Sequence, residues 1–320
     1  MNEITNIPHE VITEHTTCPN GCTKNDQVLF YATDRFHGCK GVYPIVQCKN
    51  CALIRTDSRP VLASLHYYYP DNYGPYQGTK ISNKPAGNFV LNRLKKVVQK
   101  ITDTKSTSIP QLKPGKMLEI GSASGKFLQE MADKGWEVSG IEFSDSSAEN
   151  ARRKGFKVFT GALENAPDGY KNMDLVVMWM VLEHLSDPVT CLQKIHSYMK
   201  EDAWFCFSIP NTDAYLFKTF KENCYDIHIP NHLYHYGIKT ATALLKNNGF
   251  VVKKIQHQRL LNNLTGSLAL TLLNKNPRSR LGKYLWNMSD RILLLLFPVS
   301  FLLSILGQTG RIRIWVKKIN

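Results

Sequence analysis

Between residues 116 and 258 short apolar runs alternate with amphipathic stretches, and that alternation constrains the fold more than any other feature of the sequence. "KMLEIG", "EVSGIEF", "KVFTG", "DLVVMWMV", "AWFCFSIPN" and "FVVKKIQHQ" read as strands. Four of the segments between them carry apolar residues at helical spacing. In "DPVTCLQKIHSYMK", Asp187 is placed to cap a helix and Pro188 to open it, while Val189, Leu192, Ile195 and Met199 form one stripe. Near-continuous apolar strands separated by such helices predict an α/β fold, a parallel sheet covered on both faces. "RIRIWVKKI" at 311–319 adds one more strand, which brings the total to seven.

The pieces around this core differ in character. Residues 1–65 read as a Cys module, within which about residues 15–60 lack helical periodicity and hold five of the eight cysteines. Cys18-x3-Cys22 and Cys48-x2-Cys51 form two close pairs, a pattern that suits four thiolates around a structural Zn²⁺, with Cys39 and His37 as spare candidates. Reduced cysteines in a metal-free module are the other reading. Residues 66–112 join a Tyr-rich run, "HYYYPDNYGPY", to a basic helical segment, "NFVLNRLKKVVQKI". Residues 113–260 and 308–320 form the α/β core, interrupted by an apolar and basic helical insertion at 261–307.

The net charge of +14 lies mainly outside the core: residues 80–110 carry seven bases against one acid, and 211–320 carry sixteen against four. Such a surface faces something anionic or merely aids solubility. The start, "MNEITNIPHE", lacks the basic and apolar regions of a secretory signal, so a cytoplasmic location is expected. Ile292–Leu306 is apolar except for Pro298, Ser300 and Ser304. As a helix it reaches about 22 Å, short of the roughly 30 Å hydrocarbon core. Its basic surroundings suit shallow contact with an anionic inner-membrane surface, and a buried hairpin or dimer face is the rival reading.

In an open parallel sheet, ligands sit beyond the carboxyl ends of the strands. The turn Gly121-Ser122-Ala123-Ser124-Gly125 falls there, and it departs from the G-x-G-x-x-G dinucleotide pattern. Glu119, two residues before the first glycine, opposes a pyrophosphate and suits a ligand bearing an ammonium group. Glu142, closing the second strand, is placed to accept hydrogen bonds from ribose hydroxyls. An amino-acid nucleoside satisfies both.

"LEIGSASG", "SGIEFS", "TGALENAP" and "MDLVVMWMVLEHLSDP" together resemble the motifs of the class I S-adenosylmethionine-dependent methyltransferases of the bacterial small-molecule, surface-polysaccharide type. The resemblance covers most of 15–258 and includes a small N-terminal metal-binding Cys module. It implies a Rossmann-like, mostly parallel seven-stranded sheet. It places Glu119, Gly121, Ala123, Gly125, Glu142, Ala162, Leu163, Met178 and Trp179 around S-adenosylmethionine. Ala123 stands where such enzymes usually have glycine.

"HIPNHLYHY" holds three histidines in eight residues, in what resembles the substrate segment of the family. His232 is the first candidate for a general base and His184 the second; His228, His235, Tyr73 and Tyr76 are expected to meet the acceptor. Glu183–His184 resembles the divalent-metal pair of some O-methyltransferases, but Met180 stands where those carry another acid, so metal catalysis is not expected. The expected acceptor is a sugar or other small molecule, lipid-linked if the membrane reading holds, with O-methylation first and C-methylation of a nucleotide sugar next. No nucleic-acid partner is expected, because the Cys module is close to neutral and no aromatic–basic stripe appears. A nucleic-acid methyltransferase or a non-catalytic scaffold are the alternatives, and the oligomeric state stays open.

Overall fold

The computed structural model describes residues 7–69, 107–260, 262–288 and 297–319. Tyr73, Tyr76, the basic segment 88–101 and the start of the apolar run at 292–306 lie outside these residues.

The N-terminal region carries five strands, β1 (Thr13–Glu14), β2 (Asp26–Thr33), β3 (Val42–Cys48), β4 (Ile54–Thr56) and β5 (Arg59–Pro60), followed by a 3-10 helix over Leu62–Tyr68. β1 pairs with β5, while β2, β3 and β4 form an antiparallel meander. Inside the meander Arg55, only 1% exposed, makes a two-pronged ion pair with Asp26 at 2.8 and 2.7 Å. The planar guanidinium matches both carboxylate oxygens, which is how so buried a cation is tolerated.

The core contributes β6 (Lys116–Ile120), β7 (Glu137–Glu142), β8 (Lys157–Thr160), β9 (Met173–Trp179), β10 (Met199–Pro210), β12 (Phe250–His257) and β13 (Arg311–Lys318). The sheet order is β12-β13-β10-β9-β6-β7-β8, parallel except for β13, which runs antiparallel to both neighbours. Helices α1 (Lys126–Ala132), α2 (Asp145–Arg152) and α3 (Pro188–Tyr198) follow β6, β7 and β9, and Asp187 caps α3 by accepting from the N–H groups of Val189 and Thr190. Alternation along the strands divides the core into two layers: Leu118, Val176 and Phe205 pack on one face, and Met117, Leu175 and Cys206 on the other. Cys191, Cys206 and Cys224 are buried free thiols, as expected of small core residues.

One strand of the N-terminal sheet comes from far along the chain. After α4 (Tyr215–Phe220), the substrate segment lays down β11 (Tyr234–His235), which pairs with β4 and becomes the fourth strand of the N-terminal sheet. Thr56 strengthens the join: its N–H donates to the Leu233 carbonyl at 3.0 Å and its hydroxyl to the His232 carbonyl at 2.9 Å. Helix α5 (Ile238–Asn247) then leads into β12, and the insertion forms α6 (Asn262–Lys275), α7 (Arg280–Trp286) and α8 (Phe297–Ile305) before β13.

Replacing Asp26 with alanine leaves the Arg55 guanidinium buried without its counter-charge. Denaturant unfolding of Asp26→Ala is expected to show a loss of about 3–5 kcal/mol. The hydrogen bonds from Arg55 hold the Asp26 carboxyl below its ordinary range. The ion pair therefore contributes fully above the unfolded-chain value of about 3.9 and is lost as pH falls through the lower folded value, so the gap between wild type and variant should close in acid.

Candidate active site

A cavity of about 690 Å³ opens beyond the carboxyl ends of β6, β7 and β9. One end is lined by Gly121, Ala123, Glu142, Gly161, Ala162 and Leu163. Gly121 has φ +73°, and a Cβ there would lie 2.4 Å from Val181 Cγ2, so both the turn and the close approach require glycine. Ala123 holds φ +46°, a left-handed conformation that a methyl-bearing residue adopts at a cost. The return for that strain is a directed N–H: Ala123 donates to Glu142 Oε2 at 2.7 Å, while Ser144 N–H donates to Oε1 at 2.8 Å. Two backbone donors thus fix the Glu142 carboxylate at the cavity wall. Burial raises its pKa and the N–H groups oppose the rise.

The remaining expected cofactor residues divide. Trp179 is on the wall, but Met178 is fully buried and packs in the core, because adjacent residues of β9 point to opposite faces. Gly125 caps α1 at φ +83° and lies against Ala151 and Phe156, away from the cavity. Glu119 is 3% exposed, its Oε2 is buried without a hydrogen-bond partner, and burial followed by repulsion from Glu142 pushes its pKa well up. A buried carboxyl in that state is suited to a ligand cation close by.

The other end is built from four distant parts of the chain. Phe36 and His37 come from the N-terminal region, Tyr225, Asp226, His228 and His232 from the substrate segment, Asn262 from the start of the insertion and Arg311 from the start of β13. The Phe36 ring lies tilted at 4.5 Å from the His228 ring and edge to face at 5.3 Å from Tyr225. Asp226 is held by Arg311 at 3.0 Å and by Asn263, and its carbonyl accepts from His232 Nδ1 at 2.8 Å. His184 Nδ1 lies 2.9 Å from the Asn231 carbonyl and 2.8 Å from the Tyr69 hydroxyl. Burial pushes His184 down to about 4 and holds His228 and His232 well below the ordinary histidine range. All three are neutral imidazoles at pH 7.

His235 does not reach this cavity; it is buried beside Thr56, its Nε2 3.4 Å from Oγ1, as the pairing of β11 with β4 dictates. His37, a spare metal candidate by sequence, is on the cavity wall. Cys39 lies against the Tyr67 carbonyl. The sulfurs of Cys18, Cys22, Cys48 and Cys51 do converge, all within 4.8 Å of one another, on two knuckles closed by Gly21 N–H to Cys18 O and Ala52 N–H to Cys48 O. Phe36, Tyr69, Asp226 and Arg311 were missed by sequence reasoning; only Tyr69 had a signal, as a member of the Tyr-rich run.

A sequence model of the family described as "Methyltransferase domain" matches residues 90–255, just over half of the chain. The chain belongs to this methyltransferase family. It is an S-adenosylmethionine-dependent enzyme. Solved structures similar to the methyltransferase include an S-adenosylmethionine-dependent methyltransferase from Archaeoglobus fulgidus, 22% identical, covering 72% of this chain and 100% of that one with a TM-score of 0.45. Another, from Mesorhizobium loti, is 12% identical, with 66% and 94% of the two chains covered and a TM-score of 0.46. The plantazolicin methyltransferase BpumL, solved with S-adenosylhomocysteine, is 13% identical, with 79% and 93% covered and a TM-score of 0.44. No curated protein sequence matches the methyltransferase significantly.

The strain at Ala123 gives a direct test of the turn. Ala123→Gly keeps the N–H that Glu142 accepts and removes the misplaced methyl, so thermal unfolding should show stabilisation of about 1 kcal/mol.

Proposed function

We propose that this methyltransferase acts on a sugar or another small hydroxyl-bearing acceptor by O-methylation, in the assembly of a bacterial surface polysaccharide. The observation that carries the reading is the single cavity running from Glu142 to the aromatic and imidazole end. Its volume of about 690 Å³ suits a nucleoside cofactor beside one small acceptor. When bound, S-adenosylmethionine supplies an electrophilic methyl group on a sulfonium. Glu142 is suited to ribose hydroxyls, Glu119 to the ammonium group, and Ala162, Leu163 and Trp179 to the adenine and the pocket floor. Activation of the acceptor falls to His184 and His232, whose Nδ1 atoms are committed and whose Nε2 atoms keep a lone pair. His228 and Phe36 offer a packing surface for a sugar ring. The four converged thiols suit structural zinc, with no position left open for chemistry.

Calorimetry should detect binding of S-adenosylhomocysteine, weakened about 10- to 100-fold in Glu142→Ala by the loss of charge-assisted hydrogen bonds worth about 1.5–3 kcal/mol. Labelled-methyl transfer to soluble and membrane extracts should then yield a labelled glycan. Label on a carbon of a nucleotide sugar would favour C-methylation, and label confined to nucleic acid would overturn the reading.

The charge of the insertion supports a lipid-linked acceptor. Residues 262–288 contain no acid, and Lys275, Arg278, Arg280 and Lys283 are exposed beside exposed Leu281, Tyr284 and Trp286. Helix α8 exposes Leu302 and Ile305. Among the described residues no helix is long and apolar enough to cross a membrane. Such a face fits peripheral contact with an anionic bilayer. Co-sedimentation should be strong with vesicles containing phosphatidylglycerol, weak with phosphatidylcholine alone, and reduced in the double variant Arg280→Glu, Lys283→Glu. Equal binding to both vesicle types would refute lipid docking.

A further inference from the structure

We propose that Glu183, His184 and His232 form a divalent-cation site in the wall of the cavity. Sequence reasoning set metal aside because Met180 offers no second acid, yet the fold supplies the missing donor from the substrate segment, 48 residues beyond His184. One donor atom from each of the three residues lies within 4.8 Å of the other two. Ligands about 2.0–2.2 Å from a common ion are separated by roughly 3–4 Å, so the set needs to close by about an ångström.

Three further observations point to an ion. Glu183 is completely buried, and neither carboxylate oxygen has a hydrogen-bond partner. A carboxylate so enclosed is costly unless a cation meets it. Both imidazoles are also in the state a metal requires. His184 Nδ1–H is directed at the Asn231 carbonyl and His232 Nδ1–H at the Asp226 carbonyl, which leaves Nε2 as the lone-pair nitrogen of each ring. A ligating histidine is usually fixed by such an outer hydrogen bond, which sets its tautomer and its orientation. Finally, the backbone locks the three together: the Leu233 N–H, next to His232, donates to the Glu183 carbonyl at 2.7 Å. The rings of His184 and His232 stand edge to face at 4.5 Å.

Two imidazoles and one carboxylate suit a divalent transition-series ion, borderline Fe²⁺ or Zn²⁺ or the harder Mn²⁺, with coordination positions left for oxygen ligands. His184 and His232 line the cavity, so those positions are reached from it. This use of the ion rests on the methyltransferase reading: an acceptor hydroxyl bound there is oriented and acidified, its proton passing to solvent. His184 and His232 are then ligands rather than direct bases, and the ion takes over the activation of the acceptor that their Nε2 lone pairs supply in the metal-free reading.

Mn²⁺ separates this site from the four cysteines, since thiolates favour softer ions. Titration of the purified full chain with MnCl₂, followed by loss of the free-ion electron paramagnetic resonance signal, should give one bound Mn²⁺ per chain. Glu183→Gln and His232→Asn should each weaken it at least tenfold while S-adenosylhomocysteine binding persists. In wild type, substoichiometric Mn²⁺ should broaden the ring resonances of His184 and His232 before those of His9 and His15, a readout that depends on no variant. No bound Mn²⁺, or equal binding by Glu183→Gln, would overturn the site. Loss of cofactor binding in wild type would instead refute the methyltransferase reading.

Discussion

The structure depends on how one short segment is held. Residues 226–236 are almost entirely buried, and they have no helix of their own to satisfy their backbone. Their polar groups are met from both sides: Leu233 N–H by the Glu183 carbonyl, the Leu233 and His232 carbonyls by Thr56, and Asn231 by the Tyr68 carbonyl. A buried backbone leaves few such groups unpaired, so the substrate segment can take this path only with the N-terminal sheet on one side and the β9 loop on the other. Arg59, donating to the Ser186 carbonyl at 2.7 Å, adds a second tie between the same two bodies. The N-terminal region is therefore part of the wall of the active site, although the cysteine spacing alone reads as a separate module.

Strain collects at the same place. Among the described residues, the non-glycine positions with positive φ include Ala123, Met180 and His228, and all three line the cavity. Each costs of order 1–3 kcal/mol and persists because its surroundings fix it. At Ala123 the strained backbone aims an N–H at Glu142; at Met180 it turns the chain out of β9 towards Glu183 and His184.

The core was legible because its signals are local. Strand and helix periodicity, the cap at Asp187 and the glycine turn after β6 each depend on a few adjacent residues, and each reappears in the structure. Of the residues expected around the cofactor, Gly121, Ala123, Glu142, Ala162, Leu163 and Trp179 line one end of the cavity for the same reason, whereas strand alternation sends Met178 inward and Gly125 packs against Ala151 and Phe156. The acceptor end was not legible. Phe36, Tyr225 and Arg311 come from points of the chain far apart in sequence, and no periodicity announces that they meet. His235 shows the opposite error: the dense histidine run looked uniform, yet pairing with β4 removes one histidine from the cavity and leaves His228 and His232 in it.

The placement of β13 bears on how the chain reaches this state during synthesis. β10 and β12 are not neighbours; the strand between them is made last, after the whole insertion. Until residues 311–318 leave the ribosome, both flanking strands present unpaired edges, and Asp226 waits for the Arg311 guanidinium that neutralises it. Open edges of that kind invite pairing with other chains. The sheet and the acceptor end of the cavity are therefore completed by the same late event, so a chain interrupted before its final strand lacks both at once.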